Sequence, residues 1–123
     1  MRNFSFLALS FLFLACGKED TCTLSSFYGT YSPDGSVCSV EDANKLVFSQ
    51  GSDSGTLKIA LTGSSRALTF DKIPIANCTF SGLVNDGNTN MTVSGVLDGK
   101  NLSFTLSGTF ISKPINCTEK WKK

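Results

Sequence analysis

From residue 22 onward the chain repeats one device: short runs in which apolar and small polar residues alternate, separated by Gly, Asn, Asp and Ser. Leu102, Phe104 and Leu106 fall on one side of such a run, with Ser103, Thr105 and Ser107 on the other. Leu57, Ile59 and Leu61 oppose Lys58, Ala60 and Thr62, and Met91, Val93 and Leu97 oppose Thr92 and Ser94. A period of two with one apolar and one Ser/Thr-rich face predicts antiparallel sheet wet on one side. No helical period is sustained, although Ser39 to Asn44 holds the ingredients of one capped turn.

Eight strands follow, at about 27–31, 45–50, 56–62, 67–73, 77–84, 90–97, 101–109 and 115–121. Asp98-Gly99 marks a tight hairpin between the sixth and seventh, and Asn85-Asp86-Gly87-Asn88 a slightly longer one between the fifth and sixth. Consecutive hairpins imply a meander. Such a sheet either closes into an eight-stranded antiparallel barrel, which removes its edges, or folds into a two-sheet β-sandwich.

The first 15 residues are of another kind. Arg2 is followed by an almost unbroken apolar run that ends against Cys16. At roughly a dozen apolar residues it is too short to span a bilayer, which takes about 20, and reads as a secretory signal peptide. Leu12-Phe13-Leu14-Ala15-Cys16 resembles the bacterial lipobox, which implies cleavage before Cys16 and acylation of that residue, palmitate included. Gly17-Lys18-Glu19-Asp20 resembles the surface-export signal of Bacteroidota lipoproteins, which implies an outer-membrane protein facing the cell exterior. The expected organisation is signal peptide 1–15, lipidated tether 16–21 and β-barrel domain 22–123. Six residues from Cys16 to Cys22 reach about 20 Å when extended, so the domain stays close to the membrane that holds it.

Cleavage removes Arg2 from eleven basic residues, leaving ten against ten acidic ones. That balance argues against a nucleic-acid binder, whose affinity rests on counterion release. Four cysteines remain besides Cys16, an even number that reads in an exported domain as two disulfides. In a meander the odd strands run up and the even ones down. Cys22 before the first strand and Cys78 at the start of the fifth then share one end; Cys38 and Cys117 share the other, provided the barrel closes. The pairing predicted among three is Cys22–Cys78 and Cys38–Cys117.

Phe27-Tyr28-Gly29-Thr30-Tyr31 and the stretch from Ser94-Gly95 through Gly99 to Leu102 resemble the small lipocalin-like (calycin) lipoproteins of Bacteroidota. Those open on a Gly-x-Trp or Gly-x-Tyr strand and carry a late Ser-Gly-x-x-x-Gly-x-x-Leu hairpin. Tyr31 stands at the aromatic position. The likeness covers most of residues 22–121 and implies a calyx for a small apolar ligand.

The chain has no His, which excludes Ser-His-Asp and Cys-His catalysis and His-bearing zinc sites. Its only adjacent carboxylate pairs, Glu19-Asp20 and Glu41-Asp42, do not face each other as glycoside hydrolysis requires. Asp34-Gly35 and Asn85 to Asn88 read as turns rather than calcium loops. Neither a metal nor another cofactor is expected, and the chain reads as a non-enzyme. Tyr31, Phe48, Phe70, Phe80, Phe104 and Phe110 are the candidates to line a ligand cavity; equally, they fill a barrel only just wide enough for its own side chains. Trp121, among Lys120, Lys122 and Lys123, either meets anionic headgroups or packs across the barrel end with the lysines as a solvated tail. Two functions follow: a binding module for a small apolar ligand, or a protein-interaction module, such as an inhibitor or accessory subunit at the outer membrane.

Overall fold

The computed structural model describes residues 21–40, 42–64 and 66–123. The predicted signal peptide, the lipidation site Cys16 and the charged run 17–20 lie outside the described residues. The alternating runs form β1 (Gly29–Pro33), β2 (Lys45–Gln50), β3 (Thr56–Thr62), β4 (Ala67–Ala76), β5 (Thr79–Asp86), β6 (Thr89–Asp98), β7 (Asn101–Phe110) and β8 (Lys113–Lys122). All neighbours are antiparallel and in chain order, and β8 returns to β1, so the sheet is a closed barrel. The apolar positions turn inward as their period requires. Leu57, Ile59, Leu61, Val93, Phe104 and Leu106 have no exposed surface at all.

One local expectation needs correcting. Phe27, expected to open the first strand, instead closes one helical turn, α1 (Leu24–Phe27), and the strand begins at Gly29. Thr23 and Ser26 stabilise it reciprocally: the Thr23 N–H donates to Ser26 Oγ at 3.0 Å, and the Ser26 N–H donates to the Thr23 carbonyl at 3.0 Å. The turn sought near Ser39 does not become helix. It stops at one Ala43 N–H to Val40 carbonyl bond of 3.0 Å, because Asp42 has φ of 56°, outside the right-handed region.

The pairing is uneven around the barrel. β5 to β8 are zipped along their length, with the β7–β8 register running unbroken from Asn101↔Lys122 to Phe110↔Lys113. By contrast β4 meets β5 only at Ile75↔Phe80 and Ala76↔Thr79, and β1 meets β8 only at Ser32↔Lys122 and Pro33↔Trp121. The causes are local. The register between β3 and β4 slips between Leu57 and Ile59, with Lys72 at φ 60°, a bulge that turns β4 away. β1 is only five residues long, and past Pro33 its contact with β8 continues as one bond, from the Asp34 N–H to the Lys120 carbonyl at 2.8 Å.

Each short seam has a disulfide beside it, in the predicted pairing. Cys22–Cys78 ties the segment before α1 to the β4–β5 turn, with Cα atoms 4.9 Å apart, and Cys38–Cys117 ties the segment after β1 to β8 at 5.8 Å. The barrel has a closed base, where α1 and the turns after β2, β4 and β6 lie. At the base Phe27 is fully buried and packs on Phe48 and Phe80, with ring centroids 6.3 and 5.9 Å away. The opposite end, with the connections after β1, β3, β5 and β7, is the mouth.

Lys123 is a clasp rather than a solvated tail. Its Nζ donates to the carbonyls of Ser26 at 2.8 Å and Tyr28 at 3.3 Å, and lies 5.5 Å from the centre of the Tyr31 ring. Trp121 is completely buried, so its ring belongs to the core. Among the described residues no helix is long and apolar enough to cross a membrane.

Candidate functional site at the barrel mouth

Five of the six aromatic residues expected to line a cavity pack on one another or on aliphatic core. Tyr31, Phe48, Phe70, Phe80 and Phe104 are at most 2% exposed. Successive ring centroids lie 5.2 Å apart for Tyr31–Phe48, 5.4 Å for Phe48–Phe80 and 6.3 Å for Phe80–Phe104. Such pairs add about 0.5–1.5 kcal/mol each beyond their burial. Gly95 makes the arrangement possible: it pairs with both Phe80 and Phe104, and a Cβ there would sit 2.5 Å from Phe80 Cζ. The Tyr31 hydroxyl donates to the Phe27 carbonyl at 2.8 Å, and burial pushes its pKa up to about 12.

Glu119 is a buried carboxylate that the sequence reading overlooked. At 1% exposure it accepts hydrogen bonds from the Cys38 N–H at 2.8 Å, the Ser39 N–H at 2.7 Å and Ser39 Oγ at 2.5 Å on one oxygen, and from Trp121 Nε1 at 2.9 Å on the other. A buried charge persists only when it is this fully bonded. Its work is structural: it holds the segment after β1 against β8 where the ladder has run out. Glu119 and the sulfurs of Cys38 and Cys117 all lie within 4.8 Å of one another. Because the sulfurs are bonded to each other, neither is a thiolate able to hold a metal.

The sixth aromatic residue, Phe110, is placed differently. It ends β7 at the mouth, and with Arg66, Ile111, Lys113, Pro114 and Ile115 lines a cleft of about 330 Å³ that reaches Cys38. Arg66 belongs to the β3–β4 connection, yet its Cζ lies 5.3 Å over the Phe110 ring. As β4 and β7 are not neighbours, this contact reaches across the mouth. A cation over a ring face adds about 0.5–1 kcal/mol at an exposed site.

The turn that builds one wall is strained. β7 and β8 are joined through Ile111 and Ser112, both left-handed at φ 50° and 64°. A two-residue turn of this kind favours Asn-Gly, and the equivalent first positions elsewhere are Asn77, Gly87 and Gly99. Ile is β-branched and costs more there. The strain sets an apolar side chain at the mouth, 52% exposed. The sequence left residues 110–114 between the seventh and eighth strands, but an Ile gives no sign of a left-handed position, so the strained wall itself was not legible beforehand.

Two other clefts lie on the outer wall near the base. One, of about 440 Å³, is lined by Asp34, Val96, Asp98 and Lys120 among others; a second, of about 420 Å³, shares Val96 and Asp98. The first mixes Asp34 and Asp98 with Lys120, and the second has Asp98 as its one charged lining residue. The mouth cleft joins Phe110 to a rim of two cations, Arg66 and Lys113. Comparison with protein-family models, with curated proteins and with solved structures matches nothing to this chain.

Proposed function

We propose that this chain is a lipid-anchored, non-enzymatic binding module of lipocalin-like type at the outer-membrane surface, facing the exterior, and that it takes a small apolar ligand at the barrel mouth. The observation that carries this reading is the cleft of about 330 Å³ floored by Phe110, Pro114 and Ile115, at the small end of the roughly 300–1,000 Å³ usual for ligand sites. The rings of Phe48, Phe80 and Phe104 occupy the interior, so the ligand sits above the core rather than inside it. Orientation agrees. Cys22 is bonded at the base, and a lipid on Cys16, six residues earlier, would hold the base to the bilayer and aim the mouth away from it.

A second reading, docking of a protein partner, draws on the half-exposed Ile111, since strained and exposed apolar residues occur at contact sites. Native mass spectrometry of protein purified from its host separates the two. A bound small apolar molecule supports the first, whereas a co-purifying protein with no small ligand supports the second. Palmitate labelling that disappears in Cys16→Ser is expected, and labelling unaffected by that change would overturn the anchor.

A further inference from the structure

The rim of the mouth cleft carries Arg66 and Lys113, and among the described residues lining it there is no carboxylate. Glu119 is the described acid bonded to the Cys38 backbone at its edge, and its charge is turned inward onto Ser39, Trp121 and that same backbone. Arg66 is an exposed guanidinium anchored over the Phe110 ring. An arginine presents its donors in a fixed planar fork that matches a carboxylate, and stacking on a ring face limits the freedom lost on binding. Beneath the cations the floor is apolar: Phe110, Pro114 and Ile115.

Resting on the reading that the mouth takes a small ligand, we propose that this ligand is an amphipathic anion, with an apolar body against Phe110, Pro114 and Ile115 and one carboxylate between Arg66 and Lys113. The two cations arrive from different parts of the chain, Arg66 from the β3–β4 connection and Lys113 from the first position of β8. A carboxylate bonded to both would therefore bridge the mouth, reinforcing the reach that Arg66 already makes to Phe110.

The test compares 4-phenylbutyrate with 4-phenylbutyramide, which share a body and differ in charge, titrated into full-length chain carrying Cys16→Ser so that no acyl chain competes. Chemical-shift changes of the backbone amides locate the site and report affinity. The acid is expected to bind about tenfold more tightly than the amide, the scale of one charge-assisted hydrogen bond, and to shift residues 110–115. The preference should fall to about one in Arg66→Gln/Lys113→Gln, whose changes lie at exposed positions. Equal affinity of acid and amide at the mouth, or a preference that survives the double substitution, would overturn the anionic ligand while leaving the small-ligand reading intact. Failure of either compound to shift the mouth would overturn both. Parallel titration with a tetrapeptide ending in Phe, as free acid and as amide, separates a free amphiphile from a chain terminus: tighter binding of the peptide acid than of phenylbutyrate identifies the anion as a protein C-terminus.

Discussion

The two halves of the barrel are built on different principles. Between β5 and β8 the ladders are long, and the β6–β7 register runs from Asn90↔Thr109 to Asp98↔Asn101 without a break. From β1 to β3 the strands are shorter, five residues in β1, six in β2 and seven in β3, and the β3–β4 register is bulged. Backbone hydrogen bonding suffices to align the second half. The first is held in place by cross-links to it: two disulfides, the Glu119 network, the Lys123 clasp and the ring contacts of Phe27 and Phe48 with Phe80. A closed sheet therefore does not require every seam to be zipped, provided side chains take over where the ladder stops.

The largest effect should come from cutting the cross-links. The disulfides close loops with sequence separations of 56 and 79, and loop-closure entropy assigns about 4 kcal/mol to each. Cys22→Ala/Cys78→Ala and Cys38→Ala/Cys117→Ala should lose similar global stability in urea yet loosen different places. Hydrogen exchange should rise at the Leu97 N–H, bonded to the Cys78 carbonyl at 2.8 Å, in the first, and at the Asp34 N–H, bonded to the Lys120 carbonyl at 2.8 Å, in the second. Identical exchange patterns would remove the distinction between the seams.

Next in size is Glu119→Ala, which strips an acceptor from Trp121, Cys38 and Ser39. An unsatisfied buried donor costs about 1–3 kcal/mol, so a loss of about 3 kcal/mol is expected by thermal unfolding. Loss of less than about 1 kcal/mol would mean that the β1–β8 seam does not depend on this network. Gly95→Ala should cost about 1–3 kcal/mol, because the new methyl meets the Phe80 ring and the Ser103 carbonyl. Gly82→Ala should cost less, since its obstacle 2.5 Å away is the movable Cδ1 of Ile73, reaching over from β4. Denaturant midpoints would rank the two, and the reverse order would place the tighter packing at the seam.

A change at the mouth should run the other way. Ile111→Asn relieves a β-branched residue from the left-handed region and is expected to raise stability by about 1 kcal/mol, read as a higher urea midpoint. A lower midpoint would mean that Ile111 contributes packing that outweighs its strain. The smallest effect concerns Asp71 in the first half. Hydrogen bonds from Ser52 Oγ at 2.5 Å, the Ser52 N–H at 3.0 Å and the Lys72 N–H at 2.7 Å, with Lys58 nearby, hold its carboxyl down to about 2 from an ordinary 3.8. A depressed folded pKa stabilises above the ordinary value, and that contribution is lost as pH falls from about 4 through 2. NMR titration should show Ser52 shifting in that window, and a shift centred at the ordinary value would remove the interaction.

Much of the architecture was legible because its causes are local in sequence. Leu102, Phe104 and Leu106 announce their strand by spacing alone, and Asp98-Gly99 announces its turn. The disulfide pairing followed one step later, since up-and-down order places Cys38 and Cys117 at one end only if the barrel closes. Other features were less legible. Glu119 falls in phase with Ile115, Cys117 and Trp121 on the apolar face, which marks burial but not its partners; Lys123 looks like an ordinary tail, and Ile111-Ser112 like an ordinary connection between strands. Each acquires its role from partners far away in the chain, 80 residues for Glu119 and Ser39, and 97 for Lys123 and Ser26.

Sequence by itself determined that this chain makes an antiparallel meander with one apolar face and places Cys22, Cys38, Cys78 and Cys117 for two bridges, because side-chain period and turn chemistry act over a few residues. Only the tertiary structure decided what fills the middle and what is left at the mouth. Whether an aromatic ring is core or cleft wall depends on how closely opposite strands approach: Gly95 lets Phe80 and Phe104 settle inside, while Phe110, the last residue of β7, is met by Arg66 from across the barrel.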